Sequence, residues 1–444
     1  MMAYLMEGLE IGKYMTQLYT DNMALLAQRW PSLANHIDEQ GIEDLNAQLT
    51  EGQSQTISIN DIQLSSRHNA LEEAFFYRSL TTGNEYHLFG FGMGDLPNLL
   101  SQDKSATKIT VYVLHADVFK MVLHYTTQQW LTDVRFDLQI ITKNSSLIPL
   151  MNHPGLIILP ADKTLLKKKL PNIYYQLETI IFTKHLNKNM IDAEHQKKYR
   201  RLETNNLAFL KKEQDVKSIF QVQVKEVILV GAGPSLEACQ DLLHKLTRQK
   251  NRPLIIAVAM ACKALLKYGV KPDIVVSVDV DVFDTVIPYQ IAKNTCLVYS
   301  SRTDHKCIKK WRGQRYFTHL TEPSYDHFNK ILPATRLSIF GSVIHPAMNI
   351  ALAKGAKKIY IMGCDFGFPN DQAHAELSND EYALPFINET VINGYGQEIG
   401  TDKQYRTFLV GLEQMMFVNP NVDYINCSRI GARITGARYL TEEM

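Results

Sequence analysis

From residue 225 onward the chain repeats a pattern that few folds can satisfy. Short runs rich in β-branched residues, without polar alternation, are each followed by a stretch of helical period. The runs are "EVILVG", "LIIAVA", "IVVSVDV", "CLVYSS", "RYFTHL", "RLSIFG", "KIYIMGCDF" and "VDYINC". A strand that does not alternate buries both faces, the condition of a parallel sheet covered by helices. Segments such as "PSLEACQDLLHKL" and "VIHPAMNIALAKG" supply the helices. The pattern predicts a doubly wound, Rossmann-like α/β domain.

At 444 residues the chain is too long for one core and is read as two or three domains. Residues 4–50 have amphipathic helical spacing interrupted at Pro31, and residues 52–78 read as a short hairpin. Residues 80–160 hold a smaller parallel unit, with strands in "EYHLFGFG", "KITVYVL", "RFDLQIIT" and "GLIILP". Residues 163–220 are polar, basic and helical in period. The expected organisation is an N-terminal helical plus small Rossmann-like domain (1–162), a helical basic linker (163–220) and a catalytic Rossmann-like domain with a C-terminal segment (221–444).

Composition excludes several classes. A net charge of +1 gives no global attraction to nucleic acid or to an acidic membrane. The basic run in 163–220 reads as the solvated face of a linker helix. Of the six cysteines, no two form a CxxC pair, so zinc-ligand spacing is absent. They are expected as reduced thiols in a cytoplasmic protein. The first residues lack a basic segment followed by an apolar core, and no apolar run reaches the ~20 residues that span a bilayer. The expectation is no export and no membrane insertion.

Ligands of doubly wound sheets bind beyond the carboxyl ends of the strands, so the residues there are the candidates. The first end carries Gly231, Gly233, Pro234 and Ser235. It has neither the Lys of a Walker loop nor the third Gly of a dinucleotide loop. Pro234 suits a first helical position, and the amides beyond it, with the Ser235 hydroxyl, would face a phosphate. The competing reading is a tight turn with no ligand. The third end carries Asp279 and Asp281, on one side of an extended chain, for a cation, ribose hydroxyls or a general base. Asp281 equally suits a helix cap. The sixth carries Gly341, Ser342 as N-cap, and His345, which is either a ligand contact or a first-turn polar residue. The seventh carries Asp365 and, in the loop beyond, His374, a natural base near neutral pH. A structural Asp and a surface His are the alternatives there. In the smaller unit Gly90, Gly92 and Gly94 form a GxGxG turn, but His115 and Asp117 stand where an acidic ribose ligand would end the second strand. That turn reads as structural.

"VILVGAGPSLE", "KPDIVVSVDVD", "GSVIHPAMNIALAKGAKKIYIMGCDFGF" with the following "AHA", and "INCSRIGARITGARYL" resemble the motility-associated-factor (Maf) family of bacterial flagellin glycosyltransferases. That family shares a central domain with archaeal 6-hydroxymethylpterin diphosphokinase. The resemblance covers about residues 220–444, with the "FGFGMG" turn similar to the family's first domain. It implies a fold like bacterial sialyltransferases, a CMP-activated nonulosonic acid donor of pseudaminic or legionaminic type, and Ser or Thr acceptors on flagellin. Gly231, Gly233 and Ser235 then fall on the nucleotide-phosphate loop, and Gly341 and Ser342 on the second loop. Asp279 takes the acidic third-strand position, and Asp365 and His374 the Asp-to-His motif. Two positions depart from the pattern: His115 replaces a frequent Glu, and Cys364 replaces a Gln. No cofactor is required on this reading, and magnesium is optional. One alternative is pyrophosphoryl transfer from ATP, with magnesium on Asp279 and Asp281. The other is a non-catalytic module that binds flagellin or a nucleotide.

Overall fold

The structure, a computed structural model, describes residues 16–190, 193–280, 286–373, 375, 387 and 389–440. It divides into two compact units, Met1–Glu178 and Thr179–Met444.

In the first unit, the helix Gln17–Arg29 opens with Thr16 as N-cap, its hydroxyl accepting from Tyr19 N–H. Pro31 then begins a second helix, Pro31–Asp38, because proline is tolerated in a first turn. Strands β1 (Ala47–Thr50), β2 (Thr56–Ile59) and β3 (Ile62–Gln63) make a small antiparallel sheet. β4 (Glu85–Phe89), β5 (Lys108–Val113), β6 (Phe136–Ile140) and β7 (Leu156–Ile158) form a parallel sheet in the order β6-β5-β4-β7.

The glycine turn after β4 is filled from within. Gly90, Gly92 and Gly94 all have positive φ, a region that costs glycine little. The carboxylate of buried Asp162 accepts the amides of Phe91 (3.3 Å) and Gly92 (3.2 Å). A Cβ at Gly90 would lie 2.4 Å from the Asp162 carboxyl carbon. His115 is buried, and its Nε2 donates to the carbonyl oxygen of Asp162 (2.9 Å). Asp117 lies inside the helix Ala116–Leu123 and pairs with Lys169. These side chains tie the turn to its neighbours and present no ribose ligand.

The second unit holds the large sheet. Its strands are β8 (Gln214–Asp215), β9 (Glu226–Val230), β10 (Leu254–Val258), β11 (Ile274–Ser277), β12 (Cys296–Ser300), β13 (Arg315–Leu320), β14 (Arg336–Leu337), β15 (Lys358–Met362), β18 (Asp423–Asn426) and β19 (Arg438–Tyr439). The order is β14-β13-β12-β11-β10-β9-β15-β18-β19, with β8 also against β13. Every pairing in it is parallel. The inner strands are buried along nearly their whole length. β16 (Glu389–Ile392) and β17 (Glu398–Thr401) form a separate antiparallel hairpin. This is the doubly wound α/β architecture expected from the unalternated runs. "RLSIFG" contributes only two strand residues, and β11 stops at Ser277.

The segment 163–220 is not a free-standing linker. The division between units falls inside the helix Pro171–Met190, and the helix Ala193–Leu210 is built into the second unit. Arg302, at the end of β12, is 2% exposed. It donates to Glu203 through Nε (3.0 Å) and Nη2 (2.6 Å), and to Ser324 Oγ through Nη1 (2.9 Å). Its guanidinium lies over the rings of Tyr325 and Tyr199, at 3.8 and 4.4 Å. Asn206 donates to the carbonyls of Ser301 (3.0 Å) and Thr303 (2.8 Å). Helical period and charge do not reveal such anchoring, because the anchoring partners are about a hundred residues away.

Removing one member of a buried ion pair leaves an uncompensated charge and costs about 3–5 kcal/mol, whereas an apolar replacement of both is tolerated. Glu203→Ala is therefore expected to lower unfolding stability by about that amount. The Glu203→Met/Arg302→Met double substitution is expected to lose less. Urea unfolding of the two variants checks the order.

Candidate active site

The strand order reverses at β9, which has β10 on one side and β15 on the other. Loops leaving two such strands diverge and open a crevice at their carboxyl ends. A cleft of about 860 Å³, measured out to its open mouth, lies there. Its walls come from Gly231–Gly233 after β9, Val258–Met260 at β10, Ser277 and Asp279 at β11, and Gly363–Gly367 after β15. Ser342–Ile344, Tyr405 and Phe408 complete it.

The glycine loop after β9 differs from the expected phosphate cradle. Neither Gly231 nor Gly233 has positive φ. Each is glycine for lack of space: a Cβ on Gly231 would sit 2.3 Å from the Gly363 carbonyl oxygen, and one on Gly233 2.3 Å from Asp365 Oδ2. The Gly231 amide donates to Met362 (2.8 Å), the Gly233 amide to Gly363 (2.7 Å) and the Ser235 amide to Asp365 Oδ2 (2.8 Å). Pro234 opens a 3₁₀ turn, Pro234–Cys239, as its missing N–H allows. The Ser235 hydroxyl is buried and makes no hydrogen bond of acceptable geometry, though it lies near enough to the Asp365 carboxyl to favour its charged form. The loop amides expected to face a phosphate are thus spent on β15 and its carboxylate.

Asp365 is 5% exposed and lies at the floor of the cleft. A Cβ on Gly431 would come within 2.2 Å of its Oδ1, and the Ala432 amide donates to its carbonyl (2.8 Å). Burial pushes its carboxyl up to about 6, against the lowering effect of Ser235. It is a positioning residue that joins the loops after β9, β15 and β18. The next residue, Phe366, has φ of 47°, a conformation costly for a bulky side chain. Thr401 Oγ1 holds it by donating to the Phe366 carbonyl (2.8 Å).

The second expected loop behaves otherwise. The helix Ile344–Ala353 starts with Val343 at the cap position, so Ser342 precedes the N-cap, and its hydroxyl accepts only a long bond from Ile344 N–H (3.4 Å). Ser342, Val343 and Ile344 line the cleft, so this helix directs its positive end into it. Gly341 has φ of 87°, and a Cβ there would meet the Phe408 ring at 2.6 Å. His345 is fully buried and not in the cleft. Its Nδ1 lies 3.2 Å from Phe340 N and 3.0 Å from the Ser342 carbonyl oxygen, and its Nε2 donates to the Phe408 carbonyl (2.9 Å). Burial pushes its pKa down to about 4. His345 is therefore a neutral structural histidine, and the ligand-contact reading is set aside.

Asp279 is exposed and lines the cleft. β11 ends at Ser277, so Asp279 lies in the loop beyond the strand. Asp281 and His374 lie outside the described residues. The aromatic residues Tyr405 and Phe408 escaped the sequence reading. Phe368 stacks on Tyr405 (4.9 Å between ring centres), and Tyr405 leans on Phe408 (5.8 Å). Three residues apart on one amphipathic helix, Lys403–Phe417, they carry the same signal as core positions.

A carboxyl whose folded pKa is raised holds a proton that the unfolded chain has released. For Asp365 that window runs from its ordinary value near 3.8 to about 6. Its favourable contribution is complete below pH ~4 and is lost as pH rises through ~6. Asp365→Asn is expected to lack this slope, so the stability difference from wild type changes between pH 4 and 6 and is flat above. Gly233→Ala is expected to destabilise by about 1–3 kcal/mol through overpacking. Thermal unfolding across pH tests both.

Comparison with curated proteins finds no match. Among solved structures the chain is similar to a MAf glycosyltransferase from Magnetospirillum magneticum AMB-1, at 14% identity over 96% of this chain and 74% of that one, with a TM-score of 0.48. Residues 202–371 match the family model for 6-hydroxymethylpterin diphosphokinase MptE-like proteins. The strands and loops from β9 to Gly367, which build most of the cleft, lie within the matched residues.

Proposed function

We propose that the second unit is a glycosyltransferase. It moves a nonulosonic acid, of pseudaminic or legionaminic type, from a CMP-activated donor to Ser or Thr hydroxyls of flagellin or a similar surface protein. The observation that carries this reading is the make-up of the cleft. Among the described residues, an exposed carboxylate, Asp279, and a helix N-terminus, at Ser342–Ile344, line it together with a wall made largely of apolar and aromatic groups. Such a wall suits the flat face of a pyrimidine base and the body of a sugar. Among the described lining residues there is no Lys or Arg. A leaving group with a single phosphate needs less compensation than a triphosphate, and one helix dipole provides some. The ordered motifs shared with the flagellin glycosyltransferases support the choice of donor and acceptor. The six free cysteines accord with a reaction in the cytoplasm, and no described helix is long and apolar enough to cross a membrane.

On this reading the bond from the anomeric carbon to the phosphate oxygen breaks, and its electron pair stays with the phosphate. The amides at the start of the helix Ile344–Ala353 stabilise that charge. The acceptor oxygen attacks the anomeric carbon, and its proton passes to Asp279. Asp365 keeps the three loops in register and takes no part in bond making.

The MptE-like match favours a second reading, pyrophosphoryl transfer from ATP. There Asp279 would face a magnesium–nucleotide complex; among the described residues no group of three potential metal ligands converges.

Isothermal titration with CMP, and separately with ATP plus magnesium, separates the two. CMP binding weakened about tenfold or more by Phe408→Ala is expected; binding of ATP only with magnesium, lost in Asp279→Asn, would replace glycosyl transfer with the second reading. With donor sugar and flagellin, Asp279→Asn is expected to lower kcat by about 10²–10⁴ with little change in KM, as removal of a general base does.

A further inference from the structure

A second cavity lies on the far side of β15, at the carboxyl ends of β18 and β19, and takes no part in the reading above. Its volume out to the mouth is about 990 Å³. Its lining differs in kind from that of the first cleft. Arg429, Asn426, Ser428, Tyr395 and Tyr439 dominate it, and among the described residues no carboxylate lines it.

The arrangement is built by the hairpin and by the loop after β18. Asn393 is buried and closes the hairpin turn, its Oδ1 accepting the amides of Tyr395 and Gln397, both at 2.9 Å. That places Tyr395, 62% exposed, at the tip. Arg429 lies with its guanidinium 4.3 Å from the centre of the Tyr439 ring, and one of its nitrogens makes a long bond to the Gly394 carbonyl (3.4 Å). The Tyr439 hydroxyl is buried and has no hydrogen-bond partner among the described residues. Asn426 Oδ1 accepts from Ser428 N–H (3.2 Å).

We propose that this cavity binds a sugar bearing a negative charge, a uronate or a sugar phosphate. A stacked guanidinium is held flat, with its edge available for the paired oxygens of a carboxylate or phosphate. Tyr395 provides a ring face for the apolar side of a pyranose, and Asn426 and Ser428 provide groups for its hydroxyls. The site is coupled to the cleft by a short path, because Gly431 and Ala432, just beyond Arg429, pack on Asp365. The inference does not depend on glycosyl transfer at the first cleft.

The test is calorimetric titration of the full chain with glucuronate, glucose 6-phosphate and glucose. At least one charged sugar is expected to bind ten times or more tighter than glucose, and which one does so identifies the anion. Arg429→Gln is expected to abolish the preference for charge at unchanged Tm. Equal binding of glucose overturns the proposal, as does failure of both charged sugars to bind. So does binding that survives Arg429→Gln but is lost in Phe408→Ala, which would place the sugar in the first cleft. If Arg429→Gln fails to fold, Arg429→Lys, which keeps charge but loses the paired geometry, serves instead: binding unchanged from wild type overturns the proposal.

Discussion

A buried carboxylate bonded to the amides of a glycine turn is the interaction on which each unit depends. Asp162 fills the turn after β4, and Asp365 fills the turn after β9. In both places a strand runs into glycines and a helical turn follows, which is the geometry that elsewhere receives an anionic ligand. Here the anion is part of the chain. Burial makes ionisation costly, which is why the two carboxyls are pushed up to about 7 and about 6, and the amides offset part of that cost. The glycines follow from this. A side chain at Gly90 or Gly233 would occupy the position of the carboxylate itself.

Closing the turn at the switch point shapes the cleft. With the amides of Gly231, Gly233 and Ser235 committed, the positive pole available to a ligand is the start of the helix Ile344–Ala353. Asp365 is engaged by the Ser235 amide, while Asp279 is an exposed residue of the cleft lining. The unfavourable φ of Phe366 persists because its neighbours are fixed on both sides by Asp365 and Thr401. Backbone strain of this kind survives where surrounding structure over-determines it.

Much of the second unit was legible because its strands are buried on both faces and so cannot alternate. The ends of β9, β10, β11 and β15 fell where glycine or small residues interrupt the apolar runs. The site was less legible. The glycine loop was found, but its partner was not, since a phosphate and a carboxylate ask the same of an amide. His345, read either as a ligand contact or as a first-turn polar residue, sits in the first turn of its helix and is buried in the core. Its bonds to Phe340 and Phe408 link loop to helix across a long gap in sequence. Tyr405 and Phe408 were hidden for the opposite reason, as a cleft wall and a core share one periodicity.

Local chemistry alone determined the doubly wound class and the approximate positions of most strands. These depend on side-chain polarity and backbone preference within a few residues. Tertiary structure decided which groups at those ends are free to act. Asp365 and Ser235 are 130 residues apart, and Glu203 and Arg302 are 99 apart. Whether an amide or a carboxylate faces solvent or its own chain is settled only when such segments meet, because a hydrogen-bonding group already satisfied by a buried partner has little left for a ligand.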